Sequence, residues 1–178
     1  MRAMLTTGLD PIAGQDPKVL ILGSMPGKTS LRLQKYYAHS QNSFWFIMGE
    51  ICRAKAELSY PERTSRLTKV GIALWDVLKT CEREGSLDNH ILKHTEVPND
   101  FNGFLQHYPT VEIICFNGQE AARSFEKLVM PMLVTDLREK IKLITLPSTS
   151  PANTAVSKIE KVTVWTETIK PYLIHSGE

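Results

Sequence analysis

Cysteine is scarce in this chain: three in 178 residues, at Cys52, Cys81 and Cys115. No pair has zinc-ligand spacing, and an odd, scattered set argues against a disulfide framework. Three thiols also cannot fill the four ligand positions of an iron–sulfur cluster. Reduced thiols, a cytoplasmic location and no metal or cofactor are the expectations that follow. Long apolar runs are lacking too. Nothing approaches the ~18 residues that a membrane span requires, and Met1 to Thr7 has no apolar core of the kind found in secretion signals. Charge of one sign is also missing. Lysine and arginine number 21 against 19 acidic residues, for a net charge of +2. That balance permits nucleic-acid binding without demanding it, so any basic patch must come from local clustering. Repeats and linkers are absent. What remains is 42% hydrophobic and 22% charged. This suits one domain over residues 1–178, with its core from about residue 17 to 174, and a monomer is expected.

The most informative stretch runs from Val19 to Trp45. Val19-Leu20-Ile21-Leu22 is a short apolar run closed by glycine and proline, which predicts a strand buried on both faces. Gly23-Ser24-Met25-Pro26-Gly27 cannot continue it, because Gly23 and Gly27 permit unusual backbone angles and Pro26 removes a donor. A buried strand entering a glycine-framed loop is where open α/β sheets bind ligands. With Lys28 and Thr29 the loop looks like a nucleotide-binding phosphate loop. Only three residues separate its glycines, one short of the motif, and Pro26 lacks an N–H to aim at phosphate.

Further along, helices are expected over Ser30–Gln34, Phe44–Ala56, Tyr60 to Gly71, Pro98–His107, Gln119–Leu128 and Ser157–Leu173. In the last of these Ile159, Val162, Trp165 and Ile169 are spaced for one buried face. Strands are expected at Ile72–Trp75, Val111–Phe116 and Ile141–Leu146. Met1 to Pro17 reads as an irregular lead-in, Lys79 to Leu92 as a long surface connection, and Leu137 to Lys140 as a charged lead into the last strand. Strands alternating with helices predict an α/β fold: a three-layer αβα sandwich around a central four-stranded parallel sheet. Its four strand ends, at Gly23, Asp76, Asn117 and Pro147, should share one edge, and each leads into polar or Gly/Pro-rich sequence.

Several residues near those ends carry two readings. Asn42 can cap the helix starting near Phe44 or serve in a site. Tyr37 can be an ordinary half-buried tyrosine, with Tyr36 as its competitor. His39 suits a structural hydrogen bond or a phosphate contact. Ser148, Thr149 and Ser150 can bind phosphate oxygens or brace their own turn. Asp76 can face a ligand, cap its loop, or pair with Arg83 or Lys79.

Gly23-Ser24-Met25-Pro26-Gly27, then Tyr36-Tyr37-Ala38-His39, then Asn42-Ser43-Phe44-Trp45, resemble the first motif of the uracil-DNA glycosylase superfamily, closest to its hypoxanthine-DNA (deoxyinosine) branch. Pro147-Ser148-Thr149-Ser150-Pro151-Ala152-Asn153 resembles the second motif, whose loop presses on the DNA backbone and enters the duplex. The resemblance implies base-excision repair: hydrolysis of the glycosidic bond of a deaminated base, hypoxanthine or uracil, flipped out of single- or double-stranded DNA. It implies Asn42 as the catalytic amide, because Met25 stands where the mismatch-specific uracil/thymine relatives carry a catalytic Asn. Ser40 departs from the proline expected in the deoxyinosine branch. The resemblance places Gly23, Ser24, Met25, Tyr37, Asp76 and Asn117 at the base. It places Pro26, Gly27, Lys28 and the loop Ser148, Thr149, Ser150, Pro151, Ala152, Asn153 at the DNA. A monofunctional enzyme is expected, with Lys28 and Lys35 as the residues that would support lyase chemistry instead. The competing functions are a nucleic-acid-binding domain of this fold that has lost catalysis, motivated by Met25, and a nucleotide hydrolase using Lys28.

Overall fold

The computed structural model describes residues 3–174. Its central sheet has four parallel strands in the order β3-β2-β6-β7: β2 (Val19–Gly23), β3 (Ile72–Asp76), β6 (Ile113–Asn117) and β7 (Lys142–Leu146). Alternate residues of these strands divide the core in two. Leu20, Leu22, Ala73, Trp75, Ile114 and Phe116 pack against α4 (Phe101–His107) and α5 (Gln119–Leu128). Val19, Ile21, Ile72, Leu74, Ile113 and Cys115 pack against α2 (Phe44–Cys52), α3 (Tyr60–Lys69) and α7 (Lys158–Ile169). Both faces of the sheet are therefore covered, as the continuous apolar strands require, and the layers are the expected αβα.

A second sheet, β1-β4-β5, was not expected. The supposed lead-in contains β1 (Met4–Thr7), and the supposed surface connection contains β4 (Leu78–Arg83), paired antiparallel from Met4↔Arg83 to Thr7↔Thr80. Met4 and Leu5 are exposed, so β1 has no apolar face to betray it; it exists through its distant partner. In β4 the inward positions are Leu78, Cys81 and Arg83, and the charges between them disguise the alternation. β5 (Val97–Pro98) takes the first residue of the helix expected from Pro98; α4 starts instead after Asp100, whose carboxylate accepts the Gly103 N–H at 3.0 Å.

Other boundaries move for local reasons. Helix α1 (Lys28–Leu33) is capped by Gly27 rather than by Thr29 or Ser30. Helix α2 stops at Cys52 because Arg53 turns left-handed, at φ 59°. Helix α6 (Thr135–Lys140) absorbs the charged lead into β7, and β6 and β7 start later than expected. Helix α7 ends at Ile169 and a 3₁₀ turn, Lys170–Tyr172, carries Pro171. Its buried positions are Lys161, Trp165 and Ile169, whereas Ile159 is 78% exposed: in the first turn it lies off the inward stripe.

Candidate active site

The parallel register aligns the strand ends. Gly23 pairs with Asp76, and Asn117 pairs with Leu146, just before Pro147. The loops leaving these ends enclose a cavity of about 290 Å³. Of the residues expected at the base or the DNA, all but Asn153 line it, together with His39. Asn153 stands behind, donating to Ser148 O at 3.2 Å and accepting from Lys161 Nζ at 2.9 Å.

Gly23 is not required by its backbone angle, contrary to expectation: the glycines at positive φ are Gly71, Gly85 and Gly118. Close approach explains it. A Cβ on Gly23 would lie 2.5 Å from Asp76 Oδ1 and 3.4 Å from the Tyr37 hydroxyl. Gly27, at φ −69°, is likewise unstrained. Gly118 has both features: φ of 96°, and Ser148 Cβ 2.9 Å from where its own Cβ would stand.

The segment after α1 is held from several sides. Ser30 O accepts the Lys35 N–H and Ser30 Oγ accepts the Ala38 N–H, at 3.0 and 3.1 Å. Tyr36 is buried; its hydroxyl donates to Asp10 O at 2.7 Å, and its carbonyl accepts Trp45 Nε1–H at 3.0 Å. Tyr37, not Tyr36, presents its hydroxyl to Gly23 and Asp76. It adopts φ 53°, a left-handed conformation costing a non-glycine residue roughly 1–2 kcal/mol. Stacking on Phe44, with ring centroids 4.0 Å apart, holds it there. Such strain concentrates where function fixes a side chain.

Asn42 shows both of its readings at once. Its Oδ1 accepts the Phe44 N–H at 2.9 Å, bracing the start of α2. That bond fixes the plane of the amide and leaves its NH₂ group to the cavity. Ser43, at the cap position, makes no side-chain cap; its N–H and hydroxyl both donate to Thr149 O at 3.1 Å. Thr149, 1% exposed, is where the two motifs meet. Its N–H donates to Asn117 Oδ1 and its hydroxyl accepts from Asn117 Nδ2, both at 2.9 Å. Asn117 is thus a strut for the second loop more than a free reader of a base. Within that loop Ser148 Oγ accepts the Ser150 N–H and Ser150 Oγ accepts the Ala152 N–H, each at 3.2 Å, so these hydroxyls shape the turn that carries exposed Pro151 and Ala152. His39 Nδ1 accepts the Gln41 N–H at 3.2 Å, the structural role.

Asp76 is 4% exposed, and no ion pair ties it to Arg83 or Lys79 among the described residues. Its backbone carbonyl accepts from Asn99 Nδ2 at 2.8 Å, but its side-chain Oδ2 has no partner; nor has the Tyr37 hydroxyl. Burial first, and then the nearby Asp88 charge, push the Asp76 carboxyl up to about 7, against a smaller opposing pull from Arg83. Burial, then Asp76, push the Tyr37 phenol up as well, against a smaller pull from the Asn117 amide, which is near but outside hydrogen-bond geometry, so the phenol stays neutral.

One wall of the cavity was missed: Ser86, Leu87 and Asp88, from the turn after β4. Its signal in the sequence was the polar length of that connection and Gly85, which adopts φ 78°. Arg83, 3% exposed, anchors this wall by donating from its guanidinium to Pro26 O and Ser86 O, while Ser86 Oγ accepts the Lys28 N–H at 3.0 Å. Of the lysines considered for lyase chemistry, Lys28 is exposed at the rim and Lys35 lies over the Tyr60 ring at 5.7 Å.

A purely apolar ligand would leave the Asp76 and Tyr37 atoms unpaired, since buried polar atoms almost always find partners. A phosphate would meet two carboxyls, Asp76 and Asp88. A small flat heterocycle with donors and acceptors on its edge fits both the size and the chemistry.

The family model described as the uracil DNA glycosylase superfamily matches residues 11–169. Two relatives named hypoxanthine DNA glycosylase are similar. One, from Methanosarcina acetivorans, is 36% identical over 156 residues, covering 87% of this chain and 92% of its own. The other, from Methanosarcina barkeri, is 34% identical over 130 residues, covering 72% and 80%. A solution NMR structure from Methanosarcina acetivorans, provisionally described as a uracil DNA glycosylase, superposes with a TM-score of 0.77 at 32% identity over 95% of this chain and 99% of that one. The chain belongs to the uracil DNA glycosylase superfamily.

Proposed function

We propose that the protein is a monofunctional DNA glycosylase that hydrolyses the N-glycosidic bond of a deaminated base, hypoxanthine foremost and uracil second. The observation that carries this reading is the pair of buried, unpartnered polar atoms, Asp76 Oδ2 and the Tyr37 hydroxyl, in a cavity sized for one base. Hypoxanthine and uracil both present a carbonyl beside a ring N–H. A neutral carboxyl can donate to the one and accept from the other, as an amide would; an ionised one can only accept. With its carboxyl held near 7, Asp76 is available in the neutral form.

A base enters such a cavity only after leaving the stack, at a cost of a few kcal/mol. In this reading the exposed loop carrying Pro151 and Ala152 fills the gap, and Lys28 at the rim offers a positive charge to the backbone. Bond cleavage leaves positive charge on the sugar and negative charge on the base. Asn42 cannot ionise, so it orients water rather than acting as a strong base. The reading of a fold that has lost catalysis because of Met25 is weakened by where Met25 sits: 6% exposed and packed in the core cluster beneath the loop, with Asn42 free to supply the amide.

The test is base release from oligonucleotides carrying hypoxanthine or uracil, single-stranded and opposite each normal base. Hypoxanthine release should be the faster, and borohydride should trap no covalent protein–DNA adduct. Binding without release would favour the non-catalytic reading. ATP turnover lost in Lys28→Ala would favour the nucleotide hydrolase.

A further inference from the structure

The wall supplied by the turn after β4 has a chemical role that the base-release reading, on which this inference rests, leaves open. It brings a second carboxyl to the cavity. Asp88 and Asp76 come from different elements, a 3₁₀ turn (Asp88–His90) and the end of β3, yet line the same space. No described lysine or arginine forms an ion pair with either. Asp76 is the more enclosed, with one oxygen against Gly23 and the other unpartnered. Asp88 keeps partial exposure and lies near the Ser24 hydroxyl, which favours its charged form. Arg83 holds the wall through Pro26 and Ser86, so Asp88 cannot swing away cheaply.

We propose that Asp88 is a positioning residue that keeps the proton on Asp76 and thereby lets Asp76 donate to a carbonyl on the pairing edge of the base. Two carboxyls facing one enclosed space cannot both ionise easily, and the better solvated one ionises first. At Asp88 burial is the largest influence and, with Glu120, raises the carboxyl above its ordinary range, while Ser24, Arg83 and Lys93 pull it back toward ionisation. At Asp76 burial, Asp88 and the lack of a partner favour the proton, and Arg83 alone opposes it. The phenols facing Asp76, Tyr36 and Tyr37, are neutral, and His39 and Lys28 are the remaining titratable side chains that line the cavity.

The test combines the pH profile of hypoxanthine release with the side-chain carboxyl ¹³C titration of Asp76, which needs no DNA. In Asp88→Asn the alkaline limb of the profile and the Asp76 midpoint should both move to lower pH. The loss of release should be smallest near pH 5.5 and deepen by about tenfold per pH unit along the displaced limb. In an Asp76→Asn background, Asp88→Asn should leave the shape of the profile unaltered. An unmoved Asp76 midpoint overturns the proposal, as does a limb that shifts equally without Asp76, or a midpoint that moves while the limb stays. Asp88→Ser serves if Asp88→Asn melts early. If the wild-type protein releases no base from any substrate, the glycosylase reading has failed, and the carboxyl titration still shows whether Asp88 holds the proton on Asp76.

Discussion

In the proposed reading the chemistry turns on two residues, Asn42 and Asp76, and each can be separated from its structural duty. Asn42 Oδ1 accepts the Phe44 N–H, so Asn42→Ala should lower stability by about 1 kcal/mol as well as slow base release by roughly 10²–10³-fold. Asn42→Asp keeps the acceptor and removes the NH₂ donor. It should melt within a degree or two of wild type and still lose most activity. Full activity in Asn42→Asp would mean that the NH₂ group plays no part. Asp76 is a case of function at a cost in stability. Its proton is held to about pH 7 in the folded protein, against an ordinary value of 3.8. Between those pH values the native state binds more protons than the unfolded one at this site, so the contribution of Asp76 to stability falls as pH rises from 4 to 7 and then levels off. Asp76→Asn should therefore raise the melting temperature more at pH 8 than at pH 5, and change the ratio of hypoxanthine to uracil release. Equal stabilisation at both pH values would contradict a raised carboxyl.

At the scale of elements, the second loop is held by contacts that can be cut one at a time. Lys161, 5% exposed, spends its ammonium group on Asn153 O, and Ser150 Oγ holds the Ala152 N–H. If this loop fills the gap left by the base, Ser150→Ala and Lys161→Met should reduce release from well-paired duplex more than from single strands, by a few-fold at least. Equal losses would place the loop outside extraction. The same elements show what the sequence could and could not reveal. Strands β2, β3 and β6 were legible because burial on both faces demands uninterrupted apolar runs, such as Val19 to Leu22, and β7, an edge strand with Lys142 and Leu143 exposed, was legible from its short apolar stretch ending at Pro147. Their common edge followed from the alternation with helices. Strand β1 and strand β4 were not legible, since each is made by the other: Met4 and Leu5 are exposed, and Arg83 buries a charge for which no local pattern prepares. With β4 hidden, the wall of Ser86, Leu87 and Asp88 was hidden too. Gly23 was singled out for its backbone freedom, yet a contact across two strands, with Asp76, is what requires it.

Over the whole molecule, a net charge of +2 leaves the protein no general attraction to DNA of the kind a strongly basic chain would have. In the proposed reading affinity comes from the rim of one cavity, where Lys28 and the two motif loops lie. Binding should therefore weaken only modestly with salt, with the few phosphate contacts such a rim can make. A steep dependence, with a slope above about six in the double-logarithmic plot, would point to a larger basic surface elsewhere. The four loops act as one unit because Thr149 ties Asn117 to Ser43 and Arg83 ties the wall to Pro26. The most direct measurement of the central claim is single-turnover release of hypoxanthine by wild-type protein and Asn42→Asp, with bound DNA measured in parallel. The expected result is release by the wild type, loss of most of that release in the variant, and DNA affinity the same within about twofold. No release by the wild type under conditions where it binds the DNA would contradict the account.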